Sequence, residues 1–181
     1  MMPHNKLSVE SALQQEFTQF AALIKQLPDD LFTQTPNGSW SAGQHLEHLI
    51  LSTKPVNLAL RLPGWLLILL FGKRNNRPGR NYNEVVEKYR AVLANGAVAT
   101  GGYVPKPVMA AQRAKLLKIF LSQLKQLTGS LQRITDEQLD NCIVPHPLLG
   151  KMTLREVLFF TIYHTGHHLK ILQSREKLEG I

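Results

Sequence analysis

Apolar side chains at Leu13, Phe17, Phe20, Ile24 and Leu27 recur every three or four residues, the spacing of one buried stripe on an amphipathic helix over residues 8–27. Ser8 is its expected cap. Turn formers then concentrate in residues 28–38, which read as a loop. Ser41 with Gln44 three residues later forms a capping-box signature for a second helix running into the sixties, with Pro55 a kink and Pro63-Gly64 an interruption. A polar connection follows over 72–83, then a short helix, "EVVEKYRAVLA", and a second loop, "NGAVATGGYVPKP". Residues 107–134 carry Leu117, Phe120, Leu124, Leu127, Leu131 and Ile134 at heptad-like spacing and form the third long helix. "TDEQL" reads as a capped single turn, "VPHPLLGK" as a loop, and Thr153 with Glu156 as the capping box of a last helix ending near Leu178.

No strand pattern competes with these helices. Four long helices with one long crossover between the second and third predict an all-α four-helix bundle, and 181 residues suit a single domain over 1–181. The apolar fraction of 44% and moderate charge exclude a disordered or fibrous chain. Cys142 is alone, which excludes a disulfide framework within the chain, and it reads as a packed thiol.

The opening residues show no secretory pattern, so a cytoplasmic location is expected. The longest unbroken apolar run, Trp65 to Phe71, is far short of the roughly 20 residues that span a bilayer, so stable membrane insertion is not expected. It reads as the buried end of the second helix or a pocket wall, with a surface for lipid or a partner as the alternative. The net charge of +8 permits an acidic partner, but it is scattered apart from Lys73, Arg74, Arg77 and Arg80, which read as a solvated loop. No reader motif accompanies them, and a nucleic-acid partner is not expected.

Candidate chemistry lies in the last helix, where "TIYHTGHHLKIL" places His164, His167 and His168 close together. Residues four apart on a helix differ by about 40° in azimuth, so His164 and His168 can share one ion, whereas His167 points about 100° from His168. Val157, Thr161 and Leu172 extend the same stripe, and bare imidazoles on such a face are costly without partners. A third histidine from a neighbouring helix would complete the three-imidazole pattern of an open, catalytic-type zinc site. The second helix offers His45 and His48, of which His45 lies closer to the apolar stripe of Leu46, Leu49 and Thr53. Glu47 reads as a solvated residue. Neither a zinc-protease His-Glu-x-x-His motif nor the Glu-x-x-His of di-iron bundles occurs.

Two blocks, "WSAGQHLEHL" and "HPLLGKMTLREVLFFTIYHTGHHLKIL", resemble the signatures of the DinB-like superfamily, which includes the YfiT-type proteins regarded as metal-dependent hydrolases. The first has a tryptophan, a capping serine and a histidine eight positions on, and the second a glycine-containing loop, a capped helix and a His-xxx-His pair. The resemblance implies His48, His164 and His168 as ligands of a divalent metal ion, zinc or nickel first, with an open position for water or substrate. It implies a hydrolase or a thiol-cofactor-dependent transferase acting on a small molecule, and a homodimer. Ile171 stands where many members carry glutamine, so a substrate role for that glutamine does not transfer. The alternative is a non-catalytic protein in which the ion ties the second helix to the last.

Overall fold

A computed structural model describes residues 3–35, 38–74 and 77–179. Pro36, Asn37, Asn75 and Asn76, which fall within the expected loops, lie outside the described residues, as do Met1 and Met2 of the opening segment. Helix α1 (Lys6–Gln26) begins two residues before the predicted start, because Asn5 is the cap: its side chain accepts from the Ser8 amide, and Ser8 caps Asn5 in return. Ser8 is thus the third residue of the box, a correction to its assignment as cap. A short helix α2 (Asp29–Thr33) interrupts the predicted loop and buries Phe32.

Helix α3 (Ala42–Arg61) opens on the predicted Ser41–Gln44 box and contains Pro55. The Pro63-Gly64 break turns the chain by 114° into α4 (Gly64–Phe71). Among the described residues no single helix is long and apolar enough to cross a membrane. In α4 Leu67 is buried, Ile68 and Phe71 pack half-buried on the core, and Phe71 also lines a cavity, whereas Trp65, Leu69 and Leu70 are exposed, so the expectation of a buried end or pocket wall holds for one side of the helix. Helix α5 (Tyr82–Ala94) starts two residues early because Asn81 and Glu84 form a further capping box. Two short 3-10 turns, Gly101–Tyr103 and Ala110–Gln112, occupy the second loop, and α6 (Arg113–Arg133) begins only after them.

Thr135 caps α7 (Asp136–Asn141) as its sequence suggested. The expected loop beyond it is instead a β-hairpin, β1 (Ile143–His146) and β2 (Gly150–Thr153), antiparallel with Val144 opposite Met152 and His146 opposite Gly150. This corrects the expectation of no strands. Pro145 within the first strand and Pro147 just after it disguise the pairing, yet a two-stranded hairpin is all edge and tolerates a strand proline, and Gly150 supplies the positive φ that closes the turn. Helix α8 (Leu154–Glu179) then follows from the Thr153–Glu156 box.

Helices α1, α3, α6 and α8 form the bundle: α1 and α3 each pack against both α6 and α8. Phe17, Phe20 and Phe120 are fully buried at the α1–α6 seam, with Phe17 stacked on Phe120 at 4.5 Å. Truncating one such ring typically costs about 3–5 kcal/mol. Helix α5, from the crossover, packs on α8 beside α3.

The basic loop is not simply solvated. Arg77 grips Glu156 with both terminal nitrogens, at 2.7 and 2.8 Å, and Arg80 adds its amide at 2.8 Å and its guanidinium at 2.9 Å. The Glu156 side chain is 1% exposed. This buried carboxylate fastens the crossover to the start of α8. Cys142 is packed as expected, and burial raises its thiol pKa.

Candidate metal centre

Helices α3 and α8 bring His48, His164 and His168 together in the interior, each about 5–6% exposed. One nitrogen from each ring lies within 4.8 Å of the other two, a set that could hold a metal ion. His164 Nε2 is 3.1 Å from His48 Nε2 and 3.0 Å from His168 Nε2. Three donors on one tetrahedral ion at about 2.0–2.1 Å would stand about 3.3 Å apart, so the cluster is close to ligating spacing.

Hydrogen bonding around the rings agrees with that use. His48 Nδ1 donates to the Tyr103 carbonyl at 2.7 Å, which leaves Nε2 of the neutral ring bare and facing the cluster. His168 Nδ1 lies 2.8 Å from His45 Nδ1, and with His168 as donor its Nε2 is bare as well. One proton on His164 Nε2 could satisfy only one of its two contacts, whereas a cation satisfies all three nitrogens. Burial lowers all three pKa values, opposed at His48 by the Tyr103 hydrogen bond, so the rings are kept in the neutral form that ligation needs.

His45, the alternative third ligand, contacts His168 from behind through Nδ1, and its Nε2 is buried without a partner among the described residues. Burial and the charge of Arg175 push its pKa down to about 3. Trp40 packs over His48, His45 and His168 with ring centroids 4.8, 5.7 and 6.4 Å away, and Arg175 holds the Trp40 carbonyl at 2.7 Å. Phe160 stacks on His164 at 4.9 Å. His167 is half-buried against Tyr163 and stays outside the cluster, as its azimuth predicts. Glu47 is half-buried rather than solvated, with one carboxylate oxygen unpartnered among the described residues.

The cluster opens into a cavity of about 640 Å³ between α3, α5, the hairpin and α8. Its walls are mainly apolar, with Leu58, Leu62, Phe71, Leu93, Val98 and Leu148 among them. Ile171 also lines it, so the position that departs from the resemblance faces the same space. Two further wall residues had no signal in the sequence: Tyr89, whose pKa burial pushes up to about 12, and His146, pushed down to about 4 by burial and the charges of Arg80 and Lys88. Neither stands at a telling spacing from the other histidines, and only the hairpin and α5 bring them here.

Fold and cluster together define a four-helix bundle with an interhelical three-histidine centre that opens on an apolar cavity. The sequence profile of the DinB superfamily matches residues 12–172, and the chain belongs to that superfamily. No curated protein sequence matches it. Among solved structures, it is similar to YfiT from Bacillus subtilis, described as a probable metal-dependent hydrolase with an unusual four-helix bundle topology. That match has 16% identity over 99% of this chain and 94% of the other, with a TM-score of 0.63. An uncharacterized protein from Clostridium difficile 630 matches at 11% identity over 98% of each chain, TM-score 0.58. The colibactin self-resistance protein ClbS, solved in complex with double-stranded DNA, matches at 16% identity over 98% of each chain, TM-score 0.55. At these identities the likeness is one of fold.

Proposed function

We propose that His48, His164 and His168 bind one divalent metal ion, zinc or nickel, and that the protein is a metal-dependent enzyme, a hydrolase or thiol-cofactor-dependent transferase acting on a small molecule in the adjoining cavity. The observation that carries this reading is the convergence of three buried, neutral imidazoles at the edge of a cavity large enough for a substrate. An ion held there supplies Lewis-acid polarisation to an oxygen or sulfur ligand. The chain's own residues do the rest. The Tyr103 carbonyl and His45 orient two of the rings, Trp40 covers them, and the apolar walls exclude water. Tyr89, which lines the cavity, remains protonated.

A purely structural ion is the second reading. A protein-supplied fourth ligand would favour it, but the His45 nitrogen nearest the cluster is engaged with His168, and His167 lies outside the ligand set. We further infer a cytoplasmic protein that works as a homodimer and takes no nucleic-acid partner. Two of the four clustered basic side chains direct their charge to Glu156 rather than outward.

Elemental mass spectrometry of the untagged protein tests the centre. About one ion per chain, lost in His48→Ala and His168→Ala but kept in His45→Ala, supports the three-histidine site. Protein that stays metal-free after incubation with zinc or nickel overturns it.

A further inference from the structure

His146 is pinned by the turn that bears it. Its Nδ1 accepts from the amides of both Leu148 and Leu149, each at 3.2 Å. A nitrogen that accepts two N–H bonds carries no proton, so the neutral ring must hold its proton on Nε2. Among the described residues that Nε2–H has no protein acceptor. The ring lines the cavity and packs edge-on against Phe160 at 4.3 Å, and Phe160 in turn stacks on His164. A fixed donor therefore stands in an otherwise mainly apolar wall, one aromatic ring away from the histidine cluster. Val144, Leu148 and Phe71 line the same cavity, as do the exposed side chains of Leu58 and Val98.

We propose that this cavity binds a mainly apolar molecule bearing one hydrogen-bond acceptor, a carbonyl or ether oxygen, to which the His146 Nε2–H donates and which sets the molecule's depth relative to the three histidines. The inference deepens the reading of the cavity as a substrate site but does not depend on the ion. An acceptor-free hydrocarbon would leave the donor unpaired in a dry wall, and a strongly hydrated polyol would surrender its water to apolar side chains. Specificity for an amphiphile with an acceptor at one position follows.

The test uses the full chain stripped of metal by a chelator and a homologous series of 2-alkanones from 2-hexanone to 2-undecanone, followed by calorimetry. Affinity should tighten about fourfold per added methylene until the cavity is filled. In His146→Asn the carbonyl oxygen keeps an acceptor for the turn amides, while the shorter side chain's own N–H donors end short of the position that His146 Nε2 occupies. It should weaken every ketone by about 2–12-fold without changing the chain-length slope. Infrared spectra of a carbonyl-labelled ketone on the wild type provide a readout that needs no variant: the bound C=O stretch should fall below its value in alkane. A flat chain-length series, an alkane-like stretch, or a folded His146→Asn protein that binds as the wild type does would each overturn the proposal. Because no ion is present, a protein that binds zinc but fails here refutes this proposal alone. One that passes here but never binds metal refutes the metal reading alone.

Discussion

Replacing Glu156 with Gln keeps the shape of the side chain and removes the negative charge by which Arg77 and Arg80 fasten the crossover to α8. In the native protein burial alone would raise this carboxyl's pKa, but hydrogen bonds from the Arg77 and Arg80 side chains and from the Arg80 and Thr153 amides outweigh it and hold the value at about 2, against 4.5 for an ordinary glutamate. That difference, at about 1.36 kcal/mol per unit, corresponds to roughly 3 kcal/mol. The Arg77 side chain is 38% exposed and recovers some hydration once released, so about 2 kcal/mol is expected at pH 7. In a chain of this size such a loss lowers Tm by about 4–8 °C. The pH dependence has a definite sign. A depressed carboxylate contributes its full stability above pH 4.5 and loses it as pH falls toward 2, so wild type and Glu156→Gln should converge in that window. Urea melts of both proteins at pH 7, 4 and 3 measure the difference. Equal stability at pH 7, or a gap that does not narrow at pH 3, would refute this account of the contact.

The buried imidazoles predict a second pH window. His45, His146, His164 and His168 all have pKa values lowered by burial, so the unfolded chain takes up protons first and stability should decline as pH falls below about 6.5. Melts between pH 7 and 5 check this, and unchanged stability across that range would contradict the neutral cluster. His45→Ala should retain one ion per chain but bind it about 10–100-fold more weakly, because the partner of His168 Nδ1 is lost; competition with a chromophoric chelator reads that shift, and unaltered affinity would remove His45 from the site. A side chain at Gly43 meets Phe32 at 2.9 Å and Val108 at 3.0 Å, so Gly43→Val should cost about 1–3 kcal/mol, read as a lowered urea midpoint.

Helical periodicity carried most of the fold because this bundle is stabilised by long stripes whose spacing is local: Leu13, Phe17, Phe20 and Ile24 on α1 and Phe120 to Leu131 on α6 are buried as their positions require. Capping boxes located the openings of α3, α7 and α8, since each box is a bond between residues three apart. The hairpin escaped because its pairing needs residues 143–146 to meet 150–153, and Pro145 and Pro147 mask the alternation that would show it. The histidine pair on α8 was legible from its spacing of four, but the choice between His45 and His48 was not. Both rings are buried, and the helical wheel favours His45. The resemblance implies His48, and the structure sets His45 behind His168 and His48 facing His164. The engagement of Arg77 and Arg80 with Glu156 spans more than 75 positions of sequence, a distance at which a charge pattern carries no pairing information.

The bond from His48 to position 103 is made to a peptide oxygen rather than to a side chain. Almost any amino acid at that position presents the same acceptor, so the orientation of the ring is encoded in the path of the main chain. Exchange of Tyr103 for another residue would leave the acceptor in place. Shortening or lengthening the segment between α5 and α6 by one residue would move it. The same segment contributes Val98, Ala99 and Thr100 to the cavity wall. Remodelling this loop for a different guest is therefore constrained in length more than in composition, and related chains should diversify here by substitution while conserving the residue count.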